Sequence, residues 1–169
     1  MLEVAIQTSK RTTGKRSDRL KRRRIVSKKE IIKLIAKYGE EDDFSGNISY
    51  EHIQQIEVKL NVILPDSYKW FIKTFGHGGV AGIEVLGVTS KGVSTTLKTT
   101  LNYRRYGLPP AFVVIENVDE WLYCLDTSRM NNKECPVVDW DCFGNVGKEE
   151  FSNFYEFLLE RFAEAIENL

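Results

Sequence analysis

The apolar period changes midway along this chain, and the change restricts the fold class. Before Gly76-His77-Gly78-Gly79 the large apolar residues recur at helical spacing, and after it most gather into short runs suited to strands. The stretch that leads into the change reads LPDSYKWFIKTFGHGG, Leu64 to Gly79. Tyr68, Phe71, Ile72 and Phe75 stand at i, i+3, i+4 and i+7, a helical stripe. Pro65 suits the first turn, Asp66 meets the positive end of the helix dipole, and Gly76 ends the helix. Trp70 lies off the stripe and covers another surface.

Two helices are expected upstream. SKKE, Ser27 to Glu30, is a capping box, in which the serine hydroxyl and the glutamate each satisfy an amide of the first turn. Ile31, Leu34, Ile35 and Tyr38 then share a face, with Gly39 as a left-handed stop. Ser49 caps the next helix, which turns Ile53, Ile56 and Leu60 inward.

Downstream, GIEVLGVTS from Gly82 reads as a strand. The segment from Ser94 to Tyr106 reads as a helix despite its threonines, with Leu97, Leu101 and Tyr106 near helical spacing. AFVVIE and EWLYCLD, joined by a short turn, read as a hairpin, and PVVDWD from Pro136 reads as a third strand of that block. Phe151, Phe154, Leu158, Phe162, Ala165 and Leu169 mark a long amphipathic C-terminal helix. Helices, then hairpin-linked strands, then a helix predict an α+β fold: an antiparallel or mixed sheet with helices packed on one side.

The net charge of zero conceals a split. The first 29 residues hold 11 Lys/Arg against 2 acids, which leaves 13 basic and 22 acidic residues for the body. Residues 1–26 have few large apolar side chains and are expected to form a basic, disordered leader, with the domain proper at 27–169. A nucleic-acid-binding or regulatory scaffold module working through that leader is the alternative function, with the KRRR cluster at Lys21 as the nucleic-acid contact, although no aromatic residues interleave the basic ones as stacking platforms. No apolar run is long enough to span a membrane, and no secretory signal is recognisable, so a cytoplasmic location is expected. Cys124, Cys135 and Cys142 then read as reduced thiols, without the paired spacing of a zinc site.

Catalytic machinery is sparse. His77 lies among glycines with neither a nucleophile motif nor an orienting acid beside it in sequence, and reads as an exposed loop residue. A Cys–His pair with Cys124 stays open as a hydrolase alternative. The glycines follow a helix and precede a strand, the reverse of a phosphate cradle. Asp139 and Asp141 flank Trp140 on a strand, so both carboxylates share a face, but no third ligand is spaced to complete a metal site. No catalytic residue, metal or cofactor is therefore expected. Glu84, Glu116, Asp119, Glu120, Asp126, Asp139 and Asp141 together would form a negative surface that steers a basic partner, with Trp121 and Trp140 as aromatic anchors.

Several of these segments, in order, resemble a known family. Leu64-Pro65-x-x-Tyr68-x-x-Phe71 closing on Gly78-Gly79, then Phe112 to Glu116, Tyr123 to Thr127 and Glu134 to Asp141, are similar to the SUKH superfamily, the Smi/Knr-type domain. The resemblance runs from about Ser27 to the C-terminus and is nearest in kind to YobK-type bacterial immunity proteins. It implies a non-enzymatic α+β module that binds and blocks a cognate toxin, often a nuclease, by stoichiometric contact. A basic nuclease and an acidic inhibitor surface are physically complementary. His77 stands where the family often has an asparagine or another small polar residue, and the leader has no counterpart.

Overall fold

A computed structural model describes residues 26–143 and 145–169; the leader, Val26 excepted, lies outside the described residues. Among the described residues, five α-helices and four strands follow one another: α1 (Lys28–Tyr38), α2 (Tyr50–Leu60), α3 (Asp66–Phe75), α4 (Thr95–Arg104), β1 (Phe112–Asn117), β2 (Leu122–Asp126), a 3-10 turn (Thr127–Arg129), β3 (Val137–Trp140), β4 (Val146–Phe151) and α5 (Phe154–Glu167). The strands pair antiparallel in the order β1-β2-β3-β4, giving the expected α+β architecture.

Local chemistry accounts for most helix ends. The Glu30 carboxylate accepts the Ser27 amide at 3.1 Å, the reciprocal half of the capping box. Asn153 caps α5 by accepting the Glu156 amide, while Glu156 accepts the Ser152 amide. Helix α3 is capped from a distance. Glu134, in the β2–β3 connection, accepts both the amide and the hydroxyl of Ser67, and the Lys133 carbonyl accepts the Asp66 amide. Pro65 stands just before α3 as its N-cap residue. Gly39 does not supply a left-handed stop: its φ is −77°, and its amide simply continues the ladder to Ile35.

The main core lies between one sheet face and the helices. Ile31, Ile53, Ile56, Tyr68, Phe71 and Ile72 meet Val113, Leu125 and Val137 of the sheet and Phe154, Phe157 and Phe162 of α5. The α3 stripe is therefore core, as its spacing predicts, although Phe75 is only half-buried and meets Phe44 at a tilt and Trp70 edge-on. Tyr38 is exposed rather than inward. The opposite sheet face carries a smaller cluster, in which Leu86, Leu108 and Tyr103 close over Phe112, Val114, Cys124, Val138 and Trp140.

Three segments depart from their sequence reading. Gly82 to Ser90 forms isolated bridges rather than a strand: Gly78 pairs with Val85 and Val88 with Ser94. Gly78 and Gly87 permit this backbone-on-backbone packing, since a Cβ at either would collide with a carbonyl, that of Asp43 or of Gly76. Helix α4 buries Thr96 and Thr100, while Leu101 and Tyr106 are exposed. The Thr96 hydroxyl donates to the Val114 carbonyl at 2.5 Å, and the Val114 amide donates to Thr100 Oγ1 at 3.0 Å. The two threonines, one turn apart, thus satisfy both outward backbone groups of Val114 on the edge strand. Beside them the Leu86 amide donates to the Ile115 carbonyl, where β1 bulges between Val114 and Glu116. Finally, Phe151 closes β4 and does not begin the C-terminal helix, which starts at Phe154, and Leu169 is exposed beyond its end.

Candidate functional site

The β1–β2 register decides which acids meet. Asn117 opposes Leu122 at one end of the hairpin, and Phe112 opposes Asp126 at the other. Leu122 and Tyr123 in turn oppose Trp140 and Asp139 on β3. The hairpin turn therefore shares one end of the sheet with the close of β3. Asp119, Glu120 and Trp121 of the turn gather there with Asp139 and Asp141. Asp119 and Glu120 are exposed, and Trp121, Asp139 and Asp141 are half-buried.

The turn itself is built by short polar bonds. Asn117 Oδ1 accepts the Asp119 amide, and Asp119 sits at φ 61°, a conformation Asp tolerates better than most side chains. The Val118 amide donates to the Trp121 carbonyl and closes the hairpin. Trp121 meets the Tyr123 ring edge-on at 6.4 Å. Asp141 shapes the β3–β4 connection: its carboxylate accepts the amides of Phe143 and Asn145 and the Asn145 side chain. Phe143 stands 88% exposed at this same connection, an apolar side chain that the sequence reading does not single out. Its signal is weak in sequence, because an isolated Phe in a polar segment resembles any half-buried residue.

The remaining predicted site residues lie elsewhere, and three are not surface groups. Glu116 is buried in a two-pronged pair with Arg161 of α5, at 2.9 and 2.7 Å. Asp126, at the opposite sheet end, is buried; it accepts the Ser128 amide and hydroxyl and pairs with Arg129 at 2.8 Å. Trp140 is 2% exposed in the smaller core, edge-on to Tyr103. Strand alternation places these residues but does not reveal which face a second cluster or a long arginine covers. Glu84 is exposed on the α3–α4 connection.

Glu84 completes an array that corrects the reading of His77. His77 Nε2 lies 2.9 Å from Glu84 Oε1, and Nδ1 lies 3.0 Å from the Thr95 hydroxyl. An acid and a hydroxyl do flank the imidazole, and the side chain is only 15% exposed. The Thr95 hydroxyl also accepts the Gly87 amide and meets the Gly87 carbonyl at 3.1 Å. The array thereby ties α4, the Gly87 segment and the glycine passage together. Cys124 is no partner for His77: it is fully buried in the smaller core, and burial, then Asp139, raises its thiol far above the usual range. Among the described residues no group of three or more His, Cys, Asp or Glu side chains is arranged to hold a metal ion. Nor is any described helix long and apolar enough to cross a membrane.

The family model for SUKH_5, described as SMI1-KNR4 cell-wall, matches residues 29–163. The chain belongs to the SUKH (SMI1-KNR4) family. The SUKH domain thus occupies nearly all of the described chain. Among solved structures it is similar to a protein from Pseudomonas syringae pv. tomato. The two share 17% identity and superpose with a TM-score of 0.62 over 79% of this chain and 99% of that one. At that identity the likeness shows a shared SUKH fold.

Proposed function

We propose that this SUKH domain is an immunity protein that neutralises a cognate toxin by stoichiometric binding, without catalysis. The observation that carries the reading is the acidic end of the sheet, where Asp119, Glu120, Asp139 and Asp141 converge from two connections and a strand. Trp121 and Phe143 offer apolar surface beside them, the combination of steering charge and anchoring ring that binding surfaces use. A basic nuclease is the toxin class this chemistry fits, since an enzyme that grips phosphates presents cations. Family membership supports the same reading, because the SUKH family includes immunity proteins. Glu84 adds negative charge elsewhere on the surface. A cytoplasmic setting follows from the reading, with the protein meeting its toxin where the toxin acts.

The test is co-expression of the chain with the toxin domain encoded beside it. Protected growth is expected. A strain that dies as fast with this protein as without it removes the reading. For the pair that protects, replacing both Glu120 and Asp139 by Lys should slow association about tenfold and flatten its dependence on salt. Unchanged association kinetics would move the contact away from this end of the sheet.

A further inference from the structure

A cleft of about 910 Å³ opens at the other end of the hairpin, within the size range of ligand sites. Its walls come from the last turn of α2 and the residues after it (Val58, Ile63), the end of α4 (Arg104), the residue before β1 (Ala111) and the 3-10 turn (Ser128). Arg104 is the cation in this wall, and its hydrogen bonding is incomplete. Nη2 donates to the carbonyls of Leu60 and Pro110, at 3.0 and 2.5 Å. Nε is buried with no partner, and no carboxylate pairs with the guanidinium among the described residues. Glu57, the acid that lines the cleft, is already engaged by the Leu64 amide and the Lys69 ammonium, both at 2.9 Å. Burial lowers the affinity of Arg104 for its proton, the mark of a cation short of counter-charge. Along the same cleft Val58 and Ile63 are 78% and 70% exposed.

We propose that this cleft receives a segment of a partner protein that carries a carboxylate beside an aliphatic side chain. The carboxylate meets Arg104, and the aliphatic group covers Val58 and Ile63. Charge selects this occupant: a guanidinium without a counter-ion attracts a carboxylate, and its charge strengthens the hydrogen bond that the carboxylate accepts. The exposed aliphatic residues select a segment over a small acid, which would sit on Arg104 and leave Val58 and Ile63 in water. This site stands apart from the acidic end of the sheet and goes beyond the toxin reading; its partner is acidic where the toxin is basic, and its test requires no toxin.

The experiment pans a random heptapeptide library on the full chain, then titrates each retained peptide against the native protein, Ile63→Glu and Arg104→Gln. Ile63 is exposed, so Ile63→Glu keeps the fold, as circular dichroism will verify. Retained peptides should carry Asp or Glu next to an aliphatic residue. Both variants should bind them about tenfold or more weakly, as should the native protein when Asn or Gln replaces the peptide's acid. Should Arg104→Gln fail to fold, Ile63→Glu decides alone. A library that yields no binder, binders without a carboxylate, or binders held equally by Ile63→Glu overturns the proposal. So does N-acetyl-leucine binding as tightly as the peptides, which would make the occupant a small carboxylic acid.

Discussion

The Glu116–Arg161 pair fixes α5 to the sheet, and its removal should be costly. Their side chains are only 6% and 13% exposed, and two hydrogen bonds of 2.7 and 2.9 Å join them. At a charge separation of ~4 Å and an effective dielectric of ~20, the attraction is about 4 kcal/mol. Burial alone would lower the guanidinium's proton affinity, yet the bonds and charge of Glu116 raise it well above the usual range. Arg161 also lies over the Tyr123 ring at 5.3 Å and pairs with exposed Glu164 at 3.1 Å. Changing Glu116→Leu strands the arginine charge, and the expected loss is about 3–5 kcal/mol. For a chain of this size that lowers Tm by roughly 6–20 °C. Arg161→Met strands the carboxylate and should cost a similar amount. The double variant replaces both charges by apolar groups and should recover much of the loss, leaving a coupling of at least about 2 kcal/mol. Urea unfolding followed by tryptophan fluorescence measures each corner of the cycle. A single variant that loses less than about 1 kcal/mol, or a double variant whose loss is the sum of the singles, refutes the buried-pair reasoning.

Further outcomes follow from buried polar groups. Thr100→Val leaves the Val114 amide without its partner and should cost about 1–3 kcal/mol, read as a lower urea midpoint; Leu101→Val on the exposed face of α4 should cost less than about 1 kcal/mol. In the native protein Cys142 should react with a thiol reagent while Cys124 and Cys135 stay protected until denaturation, so that one thiol reacts first and two follow. Burial pushes the Cys135 thiol from 9.0 and the Tyr155 phenol from 10.0 up to about 12. Both groups keep their protons in the folded state where the unfolded chain releases them. Their contribution is therefore full below about pH 9 and lost towards pH 12, and the urea midpoint should fall across that window; a flat midpoint contradicts the assigned burial.

How far the fold can be read from sequence depends on what stabilises each element. The stripes at Ile53, Ile56 and Leu60 and at Tyr68, Phe71 and Ile72 are apolar and periodic, so they predict their burial directly. The inward face of α4 is invisible to that criterion, because Thr96 and Thr100 are buried by hydrogen bonds to a strand. Strand β4, VGKEEF, has a glycine and three charged residues, so its pairing with β3 has no apolar signature. Glu134 reaches Ser67 across 67 positions, and no local capping rule anticipates that contact. The acidic end of the sheet was partly legible: alternation relates Asp139 to Asp141, and short hairpin spacing draws Asp119 and Glu120 towards them. The Arg104 cleft was not, since its walls come from four segments distant in sequence.

The threonine seal on β1 also limits how such sheets can assemble. An edge strand whose outward amide and carbonyl at Val114 are already bonded, with the neighbouring Ile115 carbonyl taken by Leu86, offers no template for another strand. Edge-to-edge association of native molecules is then confined to β4, at the other end of the strand order. Joining through one edge alone ends at a closed two-fold pair, because neither molecule has a second edge to pass on. The fold therefore caps its own polymerisation: folded copies can dimerise through the sheet, but an open-ended fibre requires α4 to leave β1 first.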